Sequence, residues 1–187
     1  GEINYQKPRV EDELNNLLYY LSEVFPSTLH RLDENLSNAW RETWPEEAPL
    51  EASGLPKLQF GSWVGGDRDG HPLVTAEVTA YTLEKMRNTA LAILRDRLGK
   101  LARQLSLTQT HCNAPEPLLQ ALASWGVTTD GQEPWRLYVE VLAERVDTMQ
   151  REELYTAIDQ FADWLDAAKA TRTAQLNVRP LLRLLDT

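Results

Sequence analysis

The residues able to do chemistry are concentrated in one short run, Phe60-Gly61-Ser62-Trp63-Val64-Gly65-Gly66-Asp67-Arg68-Asp69-Gly70-His71-Pro72. Gly65, Gly66 and Gly70 permit positive φ and leave backbone N–H groups bare. Arg68 offers a planar fork of donors suited to carboxylate or phosphate oxygens. Asp67 and Asp69 could hold that fork in place or accept protons, and Trp63 supplies a flat apolar wall. A small anion with an apolar edge would suit this set. A structural reading stands beside it: Asp-Arg-Asp in a glycine turn can be a salt-bridge and Asx-turn knot that ties a strand to a helix.

Other chemistries fail on spacing. Aligning Gly70 with the obligatory glycine of a calcium loop puts Gly65 at the first ligand position and Ala76 at the bidentate glutamate position, so both ligands are missing. No Gly-Lys-Ser/Thr follows to make a phosphate loop. Ser62 has no His and Asp at nucleophile spacing. Of the three histidines, His30 falls among polar residues on a helix, and His111 beside Cys112 lacks the further ligands a metal site needs. The chain therefore offers no metal ligand set.

The elements around the run read as helices. Leu14, Leu17, Leu18, Leu21 and Val24 recur at three and four, as do Leu29, Leu32, Leu36 and Trp40, so Val10 to about Trp44 is helical. Pro26 predicts a kink or a new helix between the two sets. Pro45 to Pro56 is a loop. Lys57 to Val64 is the one convincing strand candidate, because Leu58 and Phe60 alternate with Gln59 and Gly61. Thr75 is a suitable N-cap, with Glu77 in the first turn. The long helix it opens carries Leu83, Met86, Ala90, Leu94, Leu98, Leu101 and Leu105 on its packed side. Its basic face is a solvated surface or a docking surface for an acidic partner. Leu118 to Trp125 forms a short helix that Gly126 can end. Pro134 opens the next, with Tyr138, Val141, Leu142, Val146 and Met149 inward. Another buries Leu154, Ile158, Phe161, Leu165 and Ala168, and a last one covers Val178 to Leu185. The fold class is thus mainly α, with at most one short strand.

Composition bounds the rest. The chain has 187 residues, 42% apolar and 25% charged, enough for one domain with a real core. A net charge of −9 argues against a nucleic-acid or anionic-membrane surface. No apolar run approaches the roughly 18–20 residues of a membrane span. The single Cys112 excludes an internal disulfide framework and fits a reducing, cytoplasmic compartment. With Gly1 in place of Met, the natural N-terminus is expected elsewhere.

The run resembles the Phe-x-Ser-Trp-x-Gly-Gly-Asp-Arg-Asp-Gly-Asn-Pro signature of the phosphoenolpyruvate carboxylase family. Val74-Thr75-Ala76-Glu77-Val78-Thr79 is similar to that family's continuation. Pro8 to Glu13, Val24 to Leu29 and Val178 to Thr187 resemble flanking family segments. Only the Gly-Gly-Asp-Arg-Asp-Gly core is sharply specific. The resemblance implies a piece of an α/β-barrel enzyme wrapped in many helices, with Lys57–Val64 as one barrel strand. The whole is one helical fragment: a helix pair and loop over 1–56, the strand and glycine loop over 57–73, and a helical excursion over 74–187.

The family forms oxaloacetate and phosphate from phosphoenolpyruvate and bicarbonate, with Mg²⁺ or Mn²⁺, as a tetramer. Trp63 and Arg68 would then be substrate-binding, with Gly65, Gly66, Asp67, Asp69, Gly70 and His71 supporting the loop. His71 stands where the family has Asn, and either keeps a side-chain donor or titrates near neutral pH. The family's essential His, metal ligands and phosphate-binding arginines match nothing here, so no catalytic residue and no bound metal are expected in the fragment, which would be inactive alone. The alternative is a non-catalytic helical binding or scaffolding module that keeps the loop as a knot.

Overall fold

The structure, a computed structural model, describes residues 9–50, 55–56, 58–67, 72–108, 113–129 and 133–186, without the side chains of residues 30, 106–108, 172, 175–176 and 186. Among the described residues there are helices and turns and no strand. The chain divides into two compact units, one of residues 1–47 and 60–90 and the other of residues 48–59 and 91–187.

In the first unit, α1 (Val10–Tyr19) starts with Glu11, Asp12 and Glu13 in its first turn, where the helix dipole favours acids. The Arg9 N–H donates to Asp12 at 3.1 Å, which satisfies a donor at the helix start. Leu14 and Leu18 are buried. A widened π turn over Tyr20–Val24 leads into α2 (Phe25–Thr43), with Pro26 in its first turn. Proline has no N–H, and its ring presses on the carbonyl four residues back, so a wider turn lets the helix pass without breaking. The kink expected at Pro26 takes this form. Along α2, Leu32 is exposed and Leu29, Leu36 and Trp40 are half-buried, so the expected apolar stripe is only partly covered.

Thr75 caps α3 (Ala76–Thr108), its Oγ1 accepting the Val78 N–H at 3.3 Å. The helix is 33 residues long, as its periodicity requires. Its Leu94, Leu98, Leu101 and Leu105 are buried as expected, but Leu83 is 62% exposed and Ala90 is exposed. Thr82, one position earlier than Leu83, is the buried residue there.

The second unit has a continuous core. Those α3 leucines pack with Leu118 and Leu122 of α4 (Glu116–Ser124), Trp135, Tyr138, Val139 and Leu142 of α5 (Pro134–Arg145), and Leu154, Ile158, Phe161 and Leu165 of α6 (Arg151–Ala167). Gly126, at φ +76°, ends α4, and the Val127 N–H returns to the Leu122 carbonyl at 3.0 Å. Tyr138 stacks on Phe161 with centroids 5.2 Å apart and donates its hydroxyl to the Ala157 carbonyl at 3.2 Å. Burial pushes its phenol pKa well above the usual range. Val141 and Met149 are half-buried, whereas Trp135 and Val139, outside the expected face, are buried.

The short α7 (Thr171–Thr173) passes through a second π turn, Ala174–Val178, into α8 (Arg179–Asp186). Pro180 follows this turn at the same spacing as Pro26 follows the first, and the same physics accounts for both. Arg179 reaches back to α6, donating to Asp166 at 2.8 Å and Asp163 at 3.1 Å. These hydrogen bonds, Asp166 foremost, raise its pKa further.

Lys57 lies outside the described residues, and Leu58 to Trp63 take no regular structure. The strand expected over Lys57–Val64 is therefore absent from the described residues. A lone strand has no neighbour with which to satisfy its ladder of N–H and C=O groups.

Candidate functional site

The glycine run begins on an anchor. Phe60 stacks on Phe25 of α2, centroids 4.4 Å apart and rings 16° from parallel. Three residues on, the chain turns sharply. The Trp63 carbonyl accepts N–H bonds from Gly66 at 2.9 Å and Asp67 at 3.1 Å, and the Ser62 hydroxyl accepts the Val64 N–H at 3.1 Å. Gly65 is the third residue of this turn and has φ +71°, the conformation that a type II turn reserves for glycine.

A second anchor holds the turn from below. The Gly65 carbonyl accepts the Thr79 hydroxyl at 2.6 Å. Thr82, one turn further along α3, lies against the Gly65 Cα, and a Cβ there would come 2.8 Å from the Thr82 Cβ. Gly65 is thus required twice, for its φ and for the approach of α3.

Between the two anchors Trp63 is 80% exposed. Its backbone is tied by two hydrogen bonds while its ring is offered to solvent. A tryptophan usually buries most of its large apolar surface, so a bare indole on a hydrogen-bonded turn is an unusual arrangement.

The structure thus brings Trp63, Gly65, Gly66 and Asp67 together in one turn on α3. Arg68, Asp69, Gly70 and His71 lie outside the described residues, as do His111 and Cys112 and the side chain of His30. Among the described residues no three His, Cys, Asp or Glu side chains are grouped so as to hold a metal ion, and no helix is long and apolar enough to cross a membrane. Sequence reasoning missed the support supplied by Thr79 and Thr82. Their signal was in the sequence: Thr75, Thr79 and Thr82 recur at four and three, a polar stripe on the first turns of an otherwise leucine-lined helix.

Comparison with known proteins bears on the family. The family model described as phosphoenolpyruvate carboxylase matches residues 1–181. A phosphoenolpyruvate carboxylase of Thermus sp. (strain 71) is 30% identical over 96% of this chain, which covers 20% of that protein. Its counterpart from Synechocystis sp. is 33% identical over 80% of the chain and 15% of its own length. That of Methylorubrum extorquens is 37% identical over 66% of the chain and 13% of its own length. No solved structure matches. The chain spans a fifth or less of these relatives, and it belongs to the phosphoenolpyruvate carboxylase family.

Proposed function

We propose that this chain is the part of a phosphoenolpyruvate carboxylase that presents Trp63 to the substrate. The parent protein would convert phosphoenolpyruvate and bicarbonate to oxaloacetate and phosphate. The observation that carries the reading is the exposed indole on a turn anchored at both ends, in a chain of this family. Phosphoenolpyruvate has an apolar methylene edge opposite its anionic groups. Trp63 would pack on that edge and keep water from it, and Arg68 would hold carboxylate or phosphate oxygens with its fork. Gly65, Gly66, Asp67, Asp69, Gly70 and His71 would support the loop.

In the reaction bicarbonate oxygen takes the phosphoryl group from phosphoenolpyruvate and leaves the enolate. The carboxyphosphate so formed releases carbon dioxide and phosphate, and the enolate carbon then bonds to the carbon dioxide. Mg²⁺ or Mn²⁺ would stabilise the enolate charge. From the family resemblance we assign its ligands, and the catalytic groups, to the remainder of the parent chain. The chain alone would then be inactive. We place the parent in the cytoplasm, as a homotetramer.

One observation favours the second reading, a non-catalytic binding or scaffolding module: the turn is itself a structural tie, fastened to α3 through Gly65. Arg68→Ala in the parent protein separates the two. The enzyme reading expects weakened phosphoenolpyruvate binding or lost turnover at an unchanged melting temperature. A lower melting temperature with the remaining active protein kinetically normal would support the tie and overturn the substrate role.

A further inference from the structure

Thr79 and Thr82 both come against Gly65 from α3, in different ways. Thr79 donates its hydroxyl to the Gly65 carbonyl at 2.6 Å, in addition to the Thr75 carbonyl at 3.1 Å. A shared hydroxyl of this kind joins the first turn of α3 to the loop. Thr82 is 2% exposed, and its Oγ1 has no hydrogen-bond partner. A buried hydroxyl without a partner costs stability, so packing, not hydrogen bonding, accounts for the side chain there. It fills the space beneath Gly65 with a short branched group, where Leu or Met would lift the turn away.

We propose that Thr79 and Thr82 are positioning residues for Trp63. Thr79 fixes the height of the turn through the Gly65 carbonyl, and Thr82 sets the floor on which Gly65 rests. The turn that carries the indole then moves with α3. The first two turns of α3 become part of the apparatus that selects a substrate with an apolar edge, a role that rests on the carboxylase reading above.

Two measurements test this. Hydrogen exchange on the chain itself reads the tie directly. Thr79→Val should speed exchange of the amides of Val64 to Asp67 by about three- to tenfold, the equivalent of one ordinary hydrogen bond. Thr79→Ser, which keeps the hydroxyl, should restore slow exchange, and α6 amides should not respond in either variant. Unchanged exchange in Thr79→Val, or a Thr79→Ser variant as fast as Thr79→Val, overturns the tie. Thr82→Val keeps the shape and removes the unpaired hydroxyl, so it should leave the turn slow, and faster exchange would overturn the packing role.

In the parent enzyme Thr79→Val should raise KM for phosphoenolpyruvate severalfold and change kcat less, a split that loss of folded protein does not give. Trp63→Ala run beside it keeps the two ideas apart. If Trp63→Ala raises KM and Thr79→Val does not, the positioning role falls and the site reading stands. If Trp63→Ala leaves KM unchanged, the site reading falls and takes the substrate role of the threonines with it, and the exchange result alone decides the tie.

Discussion

The two units of this chain use their apolar residues in opposite ways. In the second unit Trp135, Tyr138, Phe161 and the leucines of α3, α4 and α6 are closed into one core. In the first, Leu14 and Leu18 are buried, while Tyr19, Tyr20, Leu32, Trp44, Trp63, Leu73, Tyr81 and Leu83 are exposed. Both carry amphipathic helices. The second unit satisfies its own apolar surface. The first keeps a large share available, and its hydrogen-bonded glycine turn presents an indole outward. On the proposed function, the first unit is organised for contact and the second for stability.

The comparison can be broken or sharpened by substitution, beginning with the largest effect. Phe161→Ala should cost the second unit about 3–5 kcal/mol, because it empties the stack with Tyr138 and the edge contact with Trp135. Leu83→Ser in the first unit should change stability by less than about 0.5 kcal/mol. Chemical denaturation of both variants checks the pair, and equal costs would erase the contrast between the units. Next, Gly65→Ala should destabilise the turn by about 2–3 kcal/mol, since a side chain there is strained by its φ and meets Thr82. Exchange at Val64 to Asp67 would report it, with α6 unaffected.

Arg179→Met should cost about 1–3 kcal/mol by removing the charged hydrogen bonds that tie α8 to α6. The smallest effect runs the other way. Lys169 follows α6 with φ +63°, a left-handed cap that suits glycine, and its successor Ala170 donates back to the Leu165 carbonyl at 2.8 Å. Lys169→Gly should raise stability by about 0.5 kcal/mol, relief of the strained φ being offset in part by the freer unfolded chain. A shift in the denaturation midpoint of the second unit would show it.

What could be read from the sequence follows the same division. Leu94, Leu98, Leu101 and Leu105 sit where their spacing puts them, because a helix packed along its length obeys the 3.6-residue repeat. Leu83 and Ala90 fail the same rule on the same helix. There the buried position is Thr82, chosen by the glycine turn above it, and hydrophobic periodicity carries no information about a backbone that must come close. Thr75 and Gly126 were legible as caps because their chemistry is local. Pro26 marked where a helix is disturbed but not that a widened turn would absorb it, and the second widened turn, ahead of Pro180, was not expected. The strand expected at Lys57–Val64 met alternation without a partner to pair with. For the site, Trp63, Gly65, Gly66 and Asp67 were visible as a cluster, while their support from α3 showed only as a threonine stripe, whose contact with a glycine fourteen residues away the spacing does not specify.

The account rests most heavily on the exposed indole. The direct measurement is phosphoenolpyruvate saturation of the parent enzyme and its Trp63→Ala variant, with oxaloacetate as the readout. Loss of an apolar wall worth about 1.5–3 kcal/mol in burial should raise KM roughly ten- to hundredfold while the melting temperature stays the same. Identical saturation curves for the two proteins would contradict the account, because an indole that touches no substrate cannot be what this turn was built to hold.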